Sequence, residues 1–327
     1  MTQRAAVVFL AVWLVPAVGC QREKGGGAAG GSPLALPADT TAVLGFVRKG
    51  PAPDAATLKK AIEEAVHEKT DREMAELIDV CIAPVGPHLD RTTIAMRGGI
   101  KDENVVVFAS GHGLRAAIEG CFKTMAEKRG KTFTPGQDGA FTLYPIDSDP
   151  VVARWSGGGD ELVMAARKEQ VESAVAATPS RKGTPLEKAV SEVDRSARVW
   201  FAAAGPGLPE EAELEWASGT IQDLTGSVRA VFKSPEAASK AAGLAQMVIP
   251  KGVKVDGKEV KIGMSVQDLP TLIPDPDKKG PPLSKDSANA LLDAGPLVFG
   301  FVMFVGRSEQ PVEAPPPVPA EPIAPPN

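Results

Sequence analysis

This chain repeats itself, and that constrains its fold more than any other feature. Asp39-Thr-Thr-Ala42 and Gly50-Pro51 recur as Asp194-Arg-Ser-Ala197 and Gly205-Pro206, each displaced by 155 residues without a gap. Phe46 falls on Phe201 in the same register. Further along, Thr93–Ala109 resembles Thr220–Lys233. The closing strands read Val107-Phe108-Ala109-Ser110 in one copy and Val231-Phe232-Lys233-Ser234 in the other, now displaced by 124 residues. The second copy therefore lacks about 31 residues, the stretch that matches the helices before Leu89.

Each copy reads as a strand, a hairpin, an amphipathic helix and a further pair of strands. The apolar run Ala42–Val47 reads as a strand, ended by Lys49-Gly50-Pro51. Asp54 can cap a helix striped by Leu58, Ala61, Ile62, Ala65 and Val66. A second helix is predicted over Asp71–Ile82. Thr92–Arg97 and Val105–Ala109 form a hairpin about Gly98-Gly99, and a helix runs from Gly113 to Arg129 with Gly130 at its end. Strands are predicted at Lys131–Thr134, Phe141–Ile146, Val151–Trp155 and Glu161–Ala165, and a helix at Lys168–Ala177. In the second copy a helix over 235–247 leads into strands about Asp256-Gly257. Hairpins with crossing helices predict an α+β fold, with antiparallel sheets, helices packed on one face, and internal duplication.

Two stretches outside this pattern differ in kind. Leu297–Val305 is a nine-residue apolar run. It is too short to span a bilayer, and its Val and Phe content predicts a buried central strand; a second membrane contact is the alternative. Gln310–Asn327 is Pro-rich without apolar periodicity and is expected to be disordered or polyproline II-like.

The N-terminus carries an address. Arg4 precedes the apolar segment Ala5–Val18, which Pro16 interrupts. Its fourteen residues would cover about 21 Å as a helix, short of the ~30 Å hydrocarbon core. A signal-peptide core fits better. The segment closes in Ala17-Val18-Gly19-Cys20, followed by Gln21-Arg22-Glu23-Lys24. This resembles the lipobox of bacterial lipoproteins, with Ala17 standing where the family prefers Leu. The resemblance implies a lipid on Cys20, a membrane partner reached through that lipid, and a body on the extracytoplasmic side of the cell envelope. Gln21 in place of Asp after the cysteine implies the outer membrane rather than the inner. One acyl chain binds a membrane marginally, and two or more hold it stably. The run Gly25–Ser32 then reads as a flexible tether.

Residues 1–19 are thus read as signal peptide and 20–33 as lipidated cysteine and tether. The first repeat spans 34–180, the shorter second one 181–308, and the Pro-rich tail 309–327. With Cys20 assigned to lipid, Cys81 and Cys121 are left in an oxidising compartment, where a disulfide is expected. Two buried free thiols are the alternative. Both cysteines fall on apolar helix stripes, Cys81 with Met74, Leu77 and Ile78, and Cys121 with Leu114, Ala117, Ile118 and Met125.

Composition narrows the partners. The net charge of -5 comes with no polybasic cluster, so nucleic acid is not expected. Aromatics make up only 5% of the chain, too few for the stacking platforms of carbohydrate or nucleic-acid sites.

Reactive constellations do not emerge either. His67, His88 and His112 make no H-x-x-x-H spacing, and no metal or cofactor is expected. Ser110-Gly111-His112 lacks the upstream Gly of a nucleophile elbow, and Ser110 reads instead as a helix cap like Ser234. Trp155–Asp160 reads as a hairpin turn. Glu210-Glu211 suits a helix start, and Asp275 and Asp277 lack the Gly and distal Glu of a calcium loop. The expectation is a non-catalytic protein that binds an envelope partner or a small ligand. A structural envelope protein, or an enzyme with dispersed sites, is the alternative.

Overall fold

The structure, a computed structural model, describes residues 36–305 apart from 38, 67–68, 99–103, 146–149, 178–183, 206–207, 209–212, 250–251 and 269–280. Cys20, the leader, the tether and the Pro-rich tail lie outside the described residues, as do His67, Glu210, Glu211, Asp275 and Asp277.

Twelve strands make one sheet, and every pairing in it is antiparallel. They are β1 (Thr40–Val47), β2 (Arg91–Arg97), β3 (Asn104–Ser110), β4 (Gly136–Asp138), β5 (Phe141–Tyr144), β6 (Val151–Ser156), β7 (Glu161–Ala165), β8 (Val199–Ala204), β9 (Leu214–Gln222), β10 (Thr225–Phe232), β11 (Lys254–Asp256) and β12 (Glu259–Ser265). Their order is β11-β12-β10-β9-β8-β1-β2-β3-β7-β6-β5-β4. The two copies meet where β1 pairs with β8, with Leu44 opposite Phe201, Gly45 opposite Trp200 and Phe46 opposite Val199. From that seam each copy proceeds outward through a hairpin to a terminal strand pair. The first copy carries an extra hairpin, β6–β7, between β3 and the terminal β5–β4 pair.

Seven α-helices are present among the described residues. α1 (Ala55–Val66) starts under Asp54, whose Oδ1 accepts from the Thr57 amide at 2.7 Å. α2 (Arg72–Leu77) is capped by Asp71 and runs on through a π-helical turn (Ile78–Ile82) and a last α-helical turn (Ala83–Val85). α3 is Leu114–Lys128, α4 is Lys168–Val175 and α5 is Pro185–Ser191. α6 (Pro235–Val248) has Ser234 as its cap and Pro at its first position. α7 is Lys285–Val305.

Strand periodicity sorts these helices between the two faces. Val105 and Val107 point into the main core with Ile94, Leu114, Ile118, Phe122, Ile78 and Leu58. Val106, between them, points the other way and packs with Val171 and Ala174 of α4. Across the seam, Trp200 and Trp216 pack on α5 through Leu186 and Ala189. Phe232, Val260 and Ile262 pack beneath α6 on the face of the main core. The α+β architecture with an antiparallel sheet is as expected. Five helices share one face, and the short α4 and α5 cover patches of the other.

Three local expectations are corrected. Leu297–Val305 is the end of α7, not a strand. Ser284 caps this helix, with its Oγ accepting from the Ser287 amide at 3.1 Å, and Ala288, Leu291 and Ala294 form a buried or half-buried stripe. A helix already nucleated gains one backbone hydrogen bond for each further residue it orders, which overrides the β propensity of Val and Phe. Lys131–Thr134 is not a strand either, because it belongs to the close of α3. Gly130 adopts φ +67°, Lys131 N donates back to Ala126 O and Gly130 N to Glu127 O, so the chain turns before pairing at Gly136. Finally, Ser110 does not cap α3. It is the last residue of β3, and the helix begins after Gly113, whose amide donates to Asp160 Oδ1 at 2.7 Å.

Candidate functional site

Where β2 ends and β3 begins, the sheet face that carries α4 bears a polar cavity of about 390 Å³. Asp39, Arg97, Asn104, Arg167, Glu169 and Gln170 line it. Arg97, the last residue of β2, meets Asp39 in a paired contact. Its Nε donates to Oδ1 at 2.6 Å and its Nη2 lies 2.5 Å from Oδ2. Arg167, just before α4, donates through Nη2 to Asn104 Oδ1. Gln170, buried in the first turn of α4, donates to the same oxygen at 2.8 Å and accepts from the Arg167 amide at 3.0 Å. Two guanidinium groups and two carboxylates thus surround the cavity. Such a lining can orient a polar ligand by hydrogen bonds.

A second polar cluster lies in the core. Tyr144 is fully buried, donates to Glu119 Oε1 at 2.9 Å and accepts from Trp155 Nε1 at 2.8 Å. Arg115 Nε donates to the same Glu119 oxygen at 2.8 Å, and its guanidinium stands 5.9 Å from the Trp155 ring centre. Phe122 and Phe133 hold the phenol ring from two sides. Burial pushes the Tyr144 hydroxyl well above its usual range. The bond from Trp155 opposes that shift, while the bond to Glu119 and its charge add to it. This cluster is structural: it satisfies polar atoms that would otherwise be buried without partners.

A third cluster ties α7 to the seam. Arg198, just before β8, donates through Nε to Asp293 Oδ1 at 3.0 Å and through Nη2 to Oδ2 at 2.7 Å, and Nη1 donates to Asn289. Both charged side chains are almost fully enclosed.

The residues singled out from the sequence are dispersed. Cys81, in the π-helical turn, and Cys121, in α3, are joined by a disulfide with 4.8 Å between their Cα atoms, deep in the main core. His88 Nδ1 lies 2.8 Å from the carbonyl of His112, and the His112 ring is exposed, 3.9 Å from Asp90. Trp155–Asp160 does form the β6–β7 turn. Among the described residues no group of three or more His, Cys, Asp or Glu gathers to hold a metal. Nor is any helix among them long and apolar enough to cross a membrane. The polar cavity has no local signature in the sequence, because its partners are 58 and 63 residues apart and are brought together by strand register. Asp39, at the head of the recurring motif, was the one member with a sequence signal.

No family model and no curated protein matches the chain. Two solved structures of TP0453 resemble it. Crystal form III is 13% identical over 72% of this chain and 95% of that one, with a TM-score of 0.44. Crystal form I is 12% identical over 83% and 99%, with a TM-score of 0.45.

Proposed function

We propose that this chain is a lipid-anchored protein of the cell envelope, facing the extracytoplasmic side, whose body works by binding a partner or ligand rather than by catalysis. The observation that carries this reading is the apolar leader closing on Gly19-Cys20 and followed by a Gly-rich tether. A buried Cys81–Cys121 cross-link suits the same oxidising compartment. The cavity lined by Arg97 and Arg167 suits ligand binding, because two guanidinium groups, two carboxylates and two side-chain amides converge on a small concave site.

The test is Cys20→Ala in the full chain, expressed with its leader. The variant is expected to leave the membrane fraction, to take up no fatty-acid analogue, and to keep the thermal midpoint of the parent body. Unchanged membrane retention with unchanged labelling would overturn the anchor. For the binding half of the reading, Arg97→Gln and Arg167→Gln are expected to weaken retention of the ligand while leaving anchoring intact.

A further inference from the structure

β11 is the last strand of the sheet at the second copy's end, and no described strand lies beyond it. Its three residues, Lys254, Val255 and Asp256, are all exposed, and Val255 is one of three large apolar side chains exposed among the described residues. The register within the chain is unfavourable in charge. Lys254 sits opposite Lys261, and Asp256 sits opposite Glu259. Like charges directly across an antiparallel pair repel. Lys261 and Glu259 are already engaged, since Glu259 bonds Arg229 at 2.8 Å and Lys261 lies 2.8 Å from Glu259. Lys254 and Asp256 make no ion pair among the described residues.

A guarded edge carries charge that repels any incoming strand. This edge does something narrower. A second β11 approaching antiparallel and centred on Val255 places Lys254 opposite Asp256 on both sides, with Val255 against Val255. Sliding that strand two residues either way sets Lys254 against Lys254 or Asp256 against Asp256, and a parallel in-register approach does both. A slide of one residue turns the side chains to the wrong face. One arrangement alone joins opposite charges.

We propose that β11 is a self-recognition edge, and that a second copy of this chain pairs with it antiparallel about Val255, continuing the sheet across a two-fold axis. The contact is isologous, with each copy giving and receiving the same residues. It does not depend on lipid attachment. It is also short, so the association is weak and is best read by trapping.

The experiment uses the full chain with Cys20→Ala, which removes the lipid and its thiol, and with Val255→Cys. Directly opposed Cβ atoms in an antiparallel pair stand about 4.5–5.5 Å apart, close enough for a disulfide after small adjustment. Under mild oxidation a covalent dimer is expected to form well ahead of the one from Val175→Cys, a comparably exposed position on α4. Adding Lys254→Glu sets Glu against Asp256 of the second copy and is expected to bring the rate down to that control. The same change puts Glu opposite Lys261 within the chain, which relieves the like-charge pair there. Lys254→Glu with Asp256→Lys restores opposite charges between copies, and cross-linking is expected to return. Equal rates for the two cysteine positions, or a Val255→Cys rate indifferent to Lys254→Glu, would overturn the proposal.

Discussion

Gly45 and Trp200 lie opposite each other across the β1–β8 seam, and a Cβ built on Gly45 would fall 1.9 Å from Trp200 Cε2. They are 155 residues apart, the interval that separates the recurring motifs. The pair therefore marks the position where the two copies coincide, with one supplying a buried indole and the other no side chain at all.

That relationship predicts coupling. Gly45→Ala is expected to lower stability by at least about 1–3 kcal/mol through overpacking. Trp200→Ala should cost about 3–5 kcal/mol through the cavity it leaves. In the Trp200→Ala background Gly45→Ala should cost much less than alone, since the clash is gone. A double-mutant cycle by chemical denaturation measures this, and additive effects would contradict the contact.

The Cys81–Cys121 bond closes a loop of 40 residues. In the chain-entropy model that loop contributes about 3–4 kcal/mol. Cys81→Ala with Cys121→Ala should therefore lower the denaturation midpoint without changing the far-ultraviolet circular dichroism of the native state. Reductant should shift the parent protein in the same direction and leave the double variant unmoved.

Breaking the Arg198–Asp293 pair leaves one charge enclosed without its partner. Arg198→Met or Asp293→Leu alone is expected to cost about 3–5 kcal/mol, and the two together far less. Because the pair ties α7 to the seam, each single variant should also open that helix to limited proteolysis before the sheet is cut.

Tyr144 is the only tyrosine in the chain, so alkaline absorbance reports on it alone among phenols. Its hydroxyl is held above the ordinary value by burial, so the folded state favours the neutral phenol. That stabilisation is complete below the unfolded value of about 10 and is lost as pH rises beyond it. In the native protein the phenolate signal should stay absent through pH 10 and appear together with unfolding. In denaturant it should titrate near 10. Native titration near 10 would place the hydroxyl in water.

The recurrence and the two-residue periodicity made the hairpins and the repeated order legible, because a strand with one buried face writes that face into alternate positions. Caps were legible at Asp54 and Ser234, where one polar side chain and the following helix suffice. Leu297–Val305 misled because a short apolar run has no period to separate strand from helix. The decisive signal lay upstream, in the helical spacing of Ala288, Leu291 and Ala294. Ser110 misled for the opposite reason, since α3 starts from Gly113 without a side-chain cap, and the Gly113 amide is held by Asp160, 47 residues on. The cavity residues were illegible because nothing local relates Arg97 to Asp39 or Arg167 to Asn104.

The extra β6–β7 hairpin makes the two copies unequal, and so the sheet's two ends are chemically different. At the far end β4 reads Gly136-Gln137-Asp138; pairing with its own copy about Gln137 would set Asp138 opposite Gly136, and Asp138 is already held by Lys168 of α4 at 2.6 Å. Only the β11 end is complementary to itself. A sheet with two such ends would grow without limit into a ribbon, whereas one with a single such end stops at a pair, and the growing edge of each molecule is used up in the act of joining.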